Sequence, residues 1–175
     1  MKNIVELTEV SREDLPTIYC DMDQVLVNLL DGAEKILGYP LDHYKTSEQK
    51  QDRWKRINAV KGFWENLEWM PNAKKLYQFI VRYDTKILSA YTNKDPNSKM
   101  GKMKWLAKNA NFKRKDIHLV QRSQKQNYAV SDGKPNVLID DHPKNIREWE
   151  AKGGIGVYHT SVSKTMGELK RLGFK

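Results

Sequence analysis

The stretch of sequence that decides the fold runs from Ile18 to Val27 and reads Ile-Tyr-Cys-Asp-Met-Asp-Gln-Val-Leu-Val. Its start is typical of a buried strand, which ends at Asp21 and Asp23. In an extended chain, residues i and i+2 project to the same side, so both carboxylates can face one reacting group. Such hard oxygen ligands suit magnesium, which would offset their mutual repulsion and leave one of them free to attack an electrophile.

Two further strands are predicted to end in polar groups. Residues 136–141 form an apolar run that ends in Asp140 and Asp141, and residues 85–92 form another that ends in hydroxyl side chains. An Asp-x-Asp pair alone is more often a surface turn than a site. In an open parallel α/β sheet, however, ligands bind beyond the carboxyl ends of the strands, so three such ends can converge on one site.

The order and spacing of these motifs resemble the four-motif signature of the haloacid dehalogenase (HAD) superfamily of phosphotransferases. The motifs are Asp21-x-Asp23, Ser89 after an apolar strand, a lysine near Lys125, and Asp140-Asp141. More narrowly, the chain is similar to the 5'(3')-deoxyribonucleotidase branch and its bacterial and phage relatives. The resemblance covers residues 17–160. The narrower likeness rests on Phe-Trp-Glu-Asn-Leu at 63–67, Met-Pro-Asn-Ala at 70–73, Asn145, Ile146, Trp149 and Gly153-Gly154.

The resemblance implies a mechanism for the first motifs. Asp21 would be the nucleophile that forms an aspartyl-phosphate, and Asp23 would protonate the leaving alcohol and then activate water. Ser89 and Ala90 would bind the phosphate. Lys125 would pair with the phosphate and with the nucleophile.

The resemblance also implies a magnesium site. Asp21, the backbone carbonyl of Asp23, and Asp141 would hold the ion, with Asp140 in support. Lys125 is preferred as the phosphate-binding lysine because it lies about as far ahead of the acidic pair as the family pattern suggests. Its competitors are Lys102, Lys104 and Arg122.

The chain departs from the family pattern at Gln24. Many members of the branch carry glycine after the second aspartate. A side chain there can crowd the nucleophile or the incoming phosphate, which bears on the choice of substrate more than on the chemistry.

The apolar residues alternate between strand and helix periodicity along the chain. This alternation predicts an α/β fold, with a Rossmann-like parallel sheet covered by helices on both faces. Helix boundaries are predicted at Gly38 (end), Ser98 (cap), Pro143 (first turn), Gly153-Gly154 (end), and Ser161 or Ser163 (start).

Residues 39–70 interrupt that rhythm, because they are polar and rich in aromatic residues. In the resembling family, this slot after the first strand holds a small helical cap that closes over the active site and helps to choose the substrate. We therefore expect a single HAD-like domain over residues 1–175, with a core at about 15–38 and 71–175 and a cap at about 39–70. We expect most of the aromatics to form the cap's own small core, and one or two to stack on a base: Tyr39, Tyr44, Trp54, Phe63, Trp64 and Trp69.

Composition excludes a membrane protein from the expected classes. Hydrophobic residues make up 39% of the 175 residues, which suffices for a core. No apolar run approaches the roughly 20 residues of a membrane span, and residues 1–6 lack the apolar core of a signal peptide. The sequence therefore predicts a cytoplasmic protein.

The positive charge is concentrated in residues 86–125. This region holds eleven Lys or Arg and two acids, a balance of +9 that equals the net charge of the whole chain. A basic region beside a phosphate site would attract anionic substrates and could bind a nucleic acid backbone. The alternative is an ordinary solvated helix face.

Three functional classes follow from these patterns. The first is a magnesium-dependent phosphatase whose substrate is a phosphorylated small molecule, a deoxynucleoside monophosphate by resemblance. The second is a phosphatase that acts on nucleic acid ends. The third is a non-enzymatic phosphate or nucleic-acid-binding protein on an HAD scaffold, and the intact motifs argue against it.

Overall fold

The computed structural model describes residues 14–43 and 45–175. Residues 1–6 and Tyr44, which entered the predictions above, lie outside the described residues. The strands are β1 (Ile18–Cys20), β2 (Thr85–Ala90), β3 (Ile117–Val120), β4 (Val130–Ser131), β5 (Lys134–Pro135), β6 (Val137–Asp140) and β7 (Ile155–Tyr158). The helices are α1 (Leu29–Leu37), α2 (Ser47–Asn58), α3 (Ala73–Ile80), α4 (Ser98–Asn109), α5 (Pro143–Ala151) and α6 (Val162–Arg171), and 3-10 helices lie at Trp64–Asn66, Arg114–Asp116 and Arg122–Tyr128.

Five of the strands form one parallel sheet in the order β3-β2-β1-β6-β7. The central strand, β1, places Cys20 level with Ile87 on one side and with Ile139 on the other. A strand at this position must be apolar on both faces, and β1 is buried along its whole length. The predicted parallel α/β sheet is confirmed.

Alternate residues of the strands pack on opposite faces of the sheet. Ile18 and Cys20 belong to the larger apolar cluster, which includes buried residues of α1, α3, α4 and α6. Tyr19, which lies between them, packs with Ile146 and Trp149 of α5 on the other face. The helices therefore cover both faces, and the two-residue period of β1 decides which side chain meets which helix layer.

Three predicted helix boundaries are confirmed. Gly38 ends α1 in the left-handed conformation, with φ of 78°. Pro143 is the first residue of α5. Of the two predicted starts of α6, Ser161 is the one used, and its hydroxyl accepts a hydrogen bond from the backbone of Lys164 at 3.2 Å.

The prediction that Ser98 caps α4 is wrong. Asn97 occupies the cap position, and Ser98 is the first residue of the helix. The Ser98 hydroxyl instead donates to the Thr92 carbonyl at 3.0 Å and accepts from the Thr92 amide at 3.1 Å. It therefore pairs with the backbone amide and carbonyl of Thr92 in the loop that follows β2.

Residues 39–70 form α2 and the 3-10 helix Trp64–Asn66. Their aromatics do not form a separate small core, because the buried side chains of Ile57, Phe63 and Trp64 join the same apolar cluster as the sheet. Close approach to α4 makes this possible: a Cβ at Gly101 would lie 2.4 Å from the Cβ of Trp64. The segment therefore packs directly on the helix that follows β2.

Within the described ranges, no helix combines the length and the apolar character needed to cross a membrane.

Candidate active site

The candidate site lies where three neighbouring strands end. Asp21 follows β1, Ser89 is the last residue but one of β2, and Asp140 is the last residue of β6. Because β1 lies between β2 and β6, these ends meet at one edge of the sheet. The Asp21 amide donates to the Ile139 carbonyl at 2.9 Å, which fixes the two acidic motifs side by side.

Lys125 joins the two acidic motifs. Its Nζ lies 3.0 Å from Asp21 Oδ1 and 2.7 Å from Asp140 Oδ2. Burial acts to lower the pKa of this lysine, but the carboxylates of Asp21 and Asp140 outweigh it and hold the pKa above its usual range. The structure therefore places a charged ammonium group beside the predicted nucleophile.

Asp140 is fully buried, and protein donors occupy both of its oxygens. The backbone amide of His142 donates to Oδ1 at 2.8 Å, and Asn145 Nδ2 lies 3.1 Å from Oδ1 and 3.0 Å from Oδ2. Lys125 takes the other position on Oδ2. Asp140 is therefore arranged to hold Lys125 in place. Asn145 was given no role in the sequence analysis, although its position in the first turn after the acidic pair is a local signal for it.

Three carboxylates are close enough to hold a metal ion. One oxygen each from Asp21, Asp140 and Asp141 lies within 4.8 Å of the others. Burial, reinforced by Asp21 and then Asp140, raises the pKa of Asp141 to about 7. When Asp21, Asp23, Asp140 and Asp141 are all ionised, they outnumber the two buried lysines of the site by two charges.

The residues present therefore fit a divalent cation. Their ligand atoms are hard carboxylate oxygens of the kind that magnesium prefers. Because the oxygens of Asp140 are already occupied, Asp21 and Asp141 have the free lone pairs for direct coordination.

A second buried lysine, Lys102, reaches the site from α4. Its Nζ lies 2.6 Å from Asp23 Oδ2 and donates to Ser89 Oγ at 3.0 Å. Asp23 Oδ1 is shielded from solvent and has no hydrogen-bond partner among the residues that the structure describes. Burial raises the pKa of Asp23, opposed by Lys102 and reinforced by Asp21. A carboxyl group with a raised pKa is suited to hold a proton and to donate it.

The other two cations considered for the phosphate-binding role pair with residues outside the site. Lys104 pairs with Glu65 at 3.0 Å. Arg122 pairs with Glu148 at 2.7 Å and also donates to Asn145 Oδ1 at 3.1 Å. The structure therefore brings Lys125 and Lys102 into the ion pairs of the site. Ala90 ends β2 one residue beyond Ser89, outside these ion pairs.

Gln24 adopts the left-handed backbone conformation, with φ of 58°. Its side chain turns toward α1, where Oε1 accepts a hydrogen bond from the Leu30 amide at 3.0 Å. This bond holds the carboxamide at the start of α1. The conformation explains why glycine suits the position.

Comparison with known proteins found matches among solved structures. No family model matches the chain, and no curated protein matches it. Among solved structures, a dehalogenase superposes with a TM-score of 0.54 at 12% identity, over 93% of this chain and 99% of its own. A hydrolase from Streptococcus pneumoniae TIGR4 superposes with a TM-score of 0.52 at 12% identity, over 89% of this chain and 98% of its own. A HAD family enzyme from Bacteroides thetaiotaomicron, solved with magnesium and inorganic phosphate, superposes with a TM-score of 0.44 at 17% identity, over 82% of this chain and 93% of its own.

Identities this low make the likeness one of fold. The strand order of the sheet and its cover of helices agree with that result. The chain has the fold of these solved structures, which include a hydrolase and a dehalogenase.

Proposed function

We propose that this protein is a magnesium-dependent phosphomonoester hydrolase that acts through an aspartyl-phosphate on Asp21. The observation that carries the proposal is the convergence of acidic, hydroxyl and ammonium groups at the ends of β1, β2 and β6. A phosphate monoester is anionic, so a carboxylate can attack it only where cations offset the charge of both partners. Lys125, Lys102 and a bound divalent cation would supply that positive charge.

The proposed reaction has two steps. In the first, an oxygen of Asp21 forms a bond to phosphorus as the bond to the leaving oxygen breaks, and Asp23 gives its proton to that oxygen. In the second, Asp23 takes a proton from water, which attacks the phosphoryl group and releases Asp21. Magnesium, held by Asp21 and Asp141, would stabilise the charge on the phosphoryl oxygens. Lys125 would hold Asp21 in line, and Ser89 with the end of β2 at Ala90 would receive the phosphate.

The substrate class that we propose is the deoxynucleoside monophosphates, with residues 39–70 as the cap that selects among them. Two contacts support a role for this segment near the site. The Lys102 ammonium lies 5.5 Å from the ring centroid of Trp64, and Trp64 Nε1 donates to Asp95 Oδ2 at 2.5 Å in the loop after β2. Trp54 stacks on Trp64, with ring centroids 6.3 Å apart. Trp64 is buried, so Trp54, the partly exposed ring of the pair, is the one suited to meet a substrate that carries a base.

A second candidate function, dephosphorylation of nucleic acid ends, is favoured by the basic region 86–125. Most of its cations are exposed, and one of its two acids, Asp95, is buried and bonded to Trp64. Salt separates the two candidates. The affinity for a phosphorylated oligonucleotide should fall steeply with salt through counterion release, whereas a mononucleotide makes too few contacts for a steep slope.

The test of the proposed function is release of inorganic phosphate from 5'- and 3'-deoxynucleotides and from p-nitrophenyl phosphate, with magnesium and with a chelator. We expect magnesium-dependent release, and a loss of about 10³-fold or more in the Asp21→Asn variant. Asp31→Asn is the matched control, because Asp31 is a partly exposed aspartate of α1 that pairs with a surface lysine at 2.7 Å. Equal rates in wild type and Asp21→Asn would contradict the proposal.

A further inference from the structure

Lys102 connects the two sides of the candidate site. Its ammonium group contacts Asp23 Oδ2 at 2.6 Å and Ser89 Oγ at 3.0 Å, and it is 2% exposed. Under the proposed function, Asp23 meets the leaving group and Ser89 meets the phosphoryl group. One cation therefore fixes two groups that act on opposite ends of the bond that breaks.

The surroundings of Lys102 are built to hold it there. Gly101 precedes it, and the absence of a side chain lets Trp64 pack against α4, since a Cβ would meet Trp64 Cβ at 2.4 Å. Trp64 is itself fixed by its bond to buried Asp95 and stacks its face under the Lys102 ammonium, 5.5 Å from the ring centroid. The lysine is thus enclosed by a carboxylate, a hydroxyl and an aromatic ring, which leave its long side chain little freedom.

Stability alone does not account for this arrangement. Lys102 is buried and Asp23 is partly buried. Removing a charge from water costs several kcal/mol, and apolar replacement of a buried ion pair is often neutral or stabilising. An apolar pair would fit a fold whose only task was to pack α4 on the sheet. The ion pair of Lys102 with Asp23 is therefore better explained by what it does to Asp23.

We infer that Lys102 is a positioning residue for the acid step: it holds Oδ2 of Asp23 and leaves Oδ1 as the oxygen that exchanges the proton with the substrate. This inference rests on the proposed function. Asp23 Oδ1 has no hydrogen-bond partner within the described part of the chain, so it is the oxygen left free to hold the proton. Rotation of the carboxyl group would exchange its two oxygens, and the short contact from Lys102 to Oδ2 opposes that rotation.

The role has a kinetic signature that a purely structural role lacks. In the first step, the bond from phosphorus to the leaving oxygen breaks, its electron pair stays on oxygen, and the proton of Asp23 moves there. An alkoxide needs that proton, whereas p-nitrophenolate leaves without it. Loss of Lys102 should therefore slow transfer from alkyl esters much more than transfer from aryl esters. Loss of phosphate binding alone would slow both equally.

The experiment compares kcat/KM for a deoxynucleoside 5'-monophosphate and for p-nitrophenyl phosphate in wild type, Lys102→Met and Lys102→Arg. The ratio kcat/KM reports the first step and is unaffected by slow hydrolysis of the phosphoenzyme. We expect Lys102→Met to lose about 100-fold or more on the nucleotide and less than about tenfold on the aryl ester. Lys102→Arg, which keeps a cation, should lie between wild type and Lys102→Met on the nucleotide. Lys104→Met, two residues along α4 and in an exposed pair with Glu65, is the control and should stay within about twofold on both substrates.

The outcomes separate this inference from the proposed function. An equal loss on both substrates, or no loss on either, would overturn the role of Lys102 while the proposed function stands. A wild-type protein without activity on either ester would overturn both. Should Lys102→Met fail to fold by circular dichroism, Lys102→Arg makes the same comparison. A crystal structure of folded Lys102→Met adds a readout independent of turnover: we expect the Asp23 carboxylate to rotate or shift, and an unmoved carboxylate would contradict the inference.

Discussion

At the scale of single residues, the four carboxylates of the site differ in the partners that they have. Donors from Lys125, Asn145 and the His142 amide occupy both oxygens of Asp140, so its role is to hold Lys125 in place. Asp21 and Asp141 keep oxygens that a cation can use. Asp23 has one oxygen on Lys102 and one with no partner in the residues described. These contacts therefore give each carboxylate a different role in the site.

Magnesium affinity should depend on pH through Asp141. The pKa of this carboxyl, raised by burial and by Asp21 and Asp140, is about 7 without metal, so a proton competes with the ion below that pH. We expect the association constant to rise about tenfold per pH unit up to about pH 7 and then to level off. Calorimetric titrations from about pH 5.5 to 8.5 measure this dependence. A constant affinity over that range would show that Asp141 is not a ligand, and Asp141→Asn should remove most of the binding.

The Gln24→Gly variant should be more stable than the Gln24→Ala variant. Gln24→Ala keeps the strain of a side chain at φ of 58° and loses the bond to Leu30, so we expect a loss of about 1 kcal/mol. Gln24→Gly loses the same bond but relieves the strain, which is worth roughly 1 kcal/mol. Urea denaturation of the two variants should therefore rank glycine above alanine, and the opposite order would mean that the backbone is not held in the left-handed region.

The acidic residues of the site could be predicted from sequence because each is a local signal at the end of an apolar run. Lys102 could be identified only as one of several competing cations. Its place depends on Trp64 packing against Gly101, a contact between segments that are far apart in the chain. The spacing of residues along the sequence does not predict such a contact. The conformation of Gln24 was missed for a related reason, since its bond to Leu30 closes a turn that the apolar pattern does not describe.

At the scale of elements, the contact between α4 and the 3-10 helix Trp64–Asn66 positions the site. Trp105 Nε1 of α4 donates to the Leu67 carbonyl at 2.7 Å, and Trp64 Nε1 donates to Asp95 Oδ2 in the loop after β2 at 2.5 Å. Residues 64–67 are thereby held against α4 and the loop that precedes it, and Lys102 of the same helix reaches Asp23. Any change that separates α4 from this 3-10 helix should therefore move Lys102.

Gly101→Ala should destabilise the protein, whereas Gly167→Ala should not. A methyl group at 101 would meet Trp64 Cβ at 2.4 Å and its backbone Cα at 3.5 Å, so we expect a loss of about 1–3 kcal/mol together with reduced activity. At Gly167, in the interior of α6, nothing lies within 4 Å of an added Cβ, and we expect a gain of about 0.5–1 kcal/mol from helix propensity. Equal stabilities in denaturant titrations would contradict the close packing on α4.

The elements themselves were predictable where periodicity is strong. The strands of the main sheet and helices α1, α4, α5 and α6 follow apolar patterns that need no knowledge of the fold. The hairpin of β4 and β5 was missed, although Asp132 and Gly133, with φ of 50° and 74°, form the kind of turn that Asp-Gly favours. Its strands have two residues each, too few for an alternating pattern. Residues 39–70 were predicted to be an inserted cap with its own core. Their packing into the main core depends on small residues in other helices, such as Gly101 of α4.

At the scale of the whole molecule, repulsion between the buried carboxylates of the site makes the stability of the protein depend on pH. Asp141 titrates at about 7 in the folded protein and near 3.8 when unfolded. Its stabilising contribution is therefore complete below about pH 4 and is lost as pH rises through about 7. Asp23 and Asp140, whose pKa values are also raised, act in the same direction.

In a chelator, Asp141→Asn should therefore be more stable than wild type at pH 8 and closer to it at pH 5. The asparagine removes a charge that the folded state disfavours, and we expect a gain of about 1 kcal/mol or more at the higher pH, which is roughly 2–4 °C in Tm for a domain of this size. Magnesium should raise the Tm of wild type and have little effect on the variant. A variant that is less stable than wild type at pH 8 in chelator would contradict the charge repulsion described above.

The central claim is that Asp21 carries the phosphoryl group. The direct measurement is mass spectrometry of the protein quenched in acid during turnover of a phosphate ester, with peptides mapped for an acid-stable, base-labile phosphoryl group. The account predicts that the group is found on the peptide containing Asp21, at that residue, and that Asp21→Asn carries none. Steady release of phosphate with no phosphoryl group on Asp21, or with the group on another residue, would contradict it.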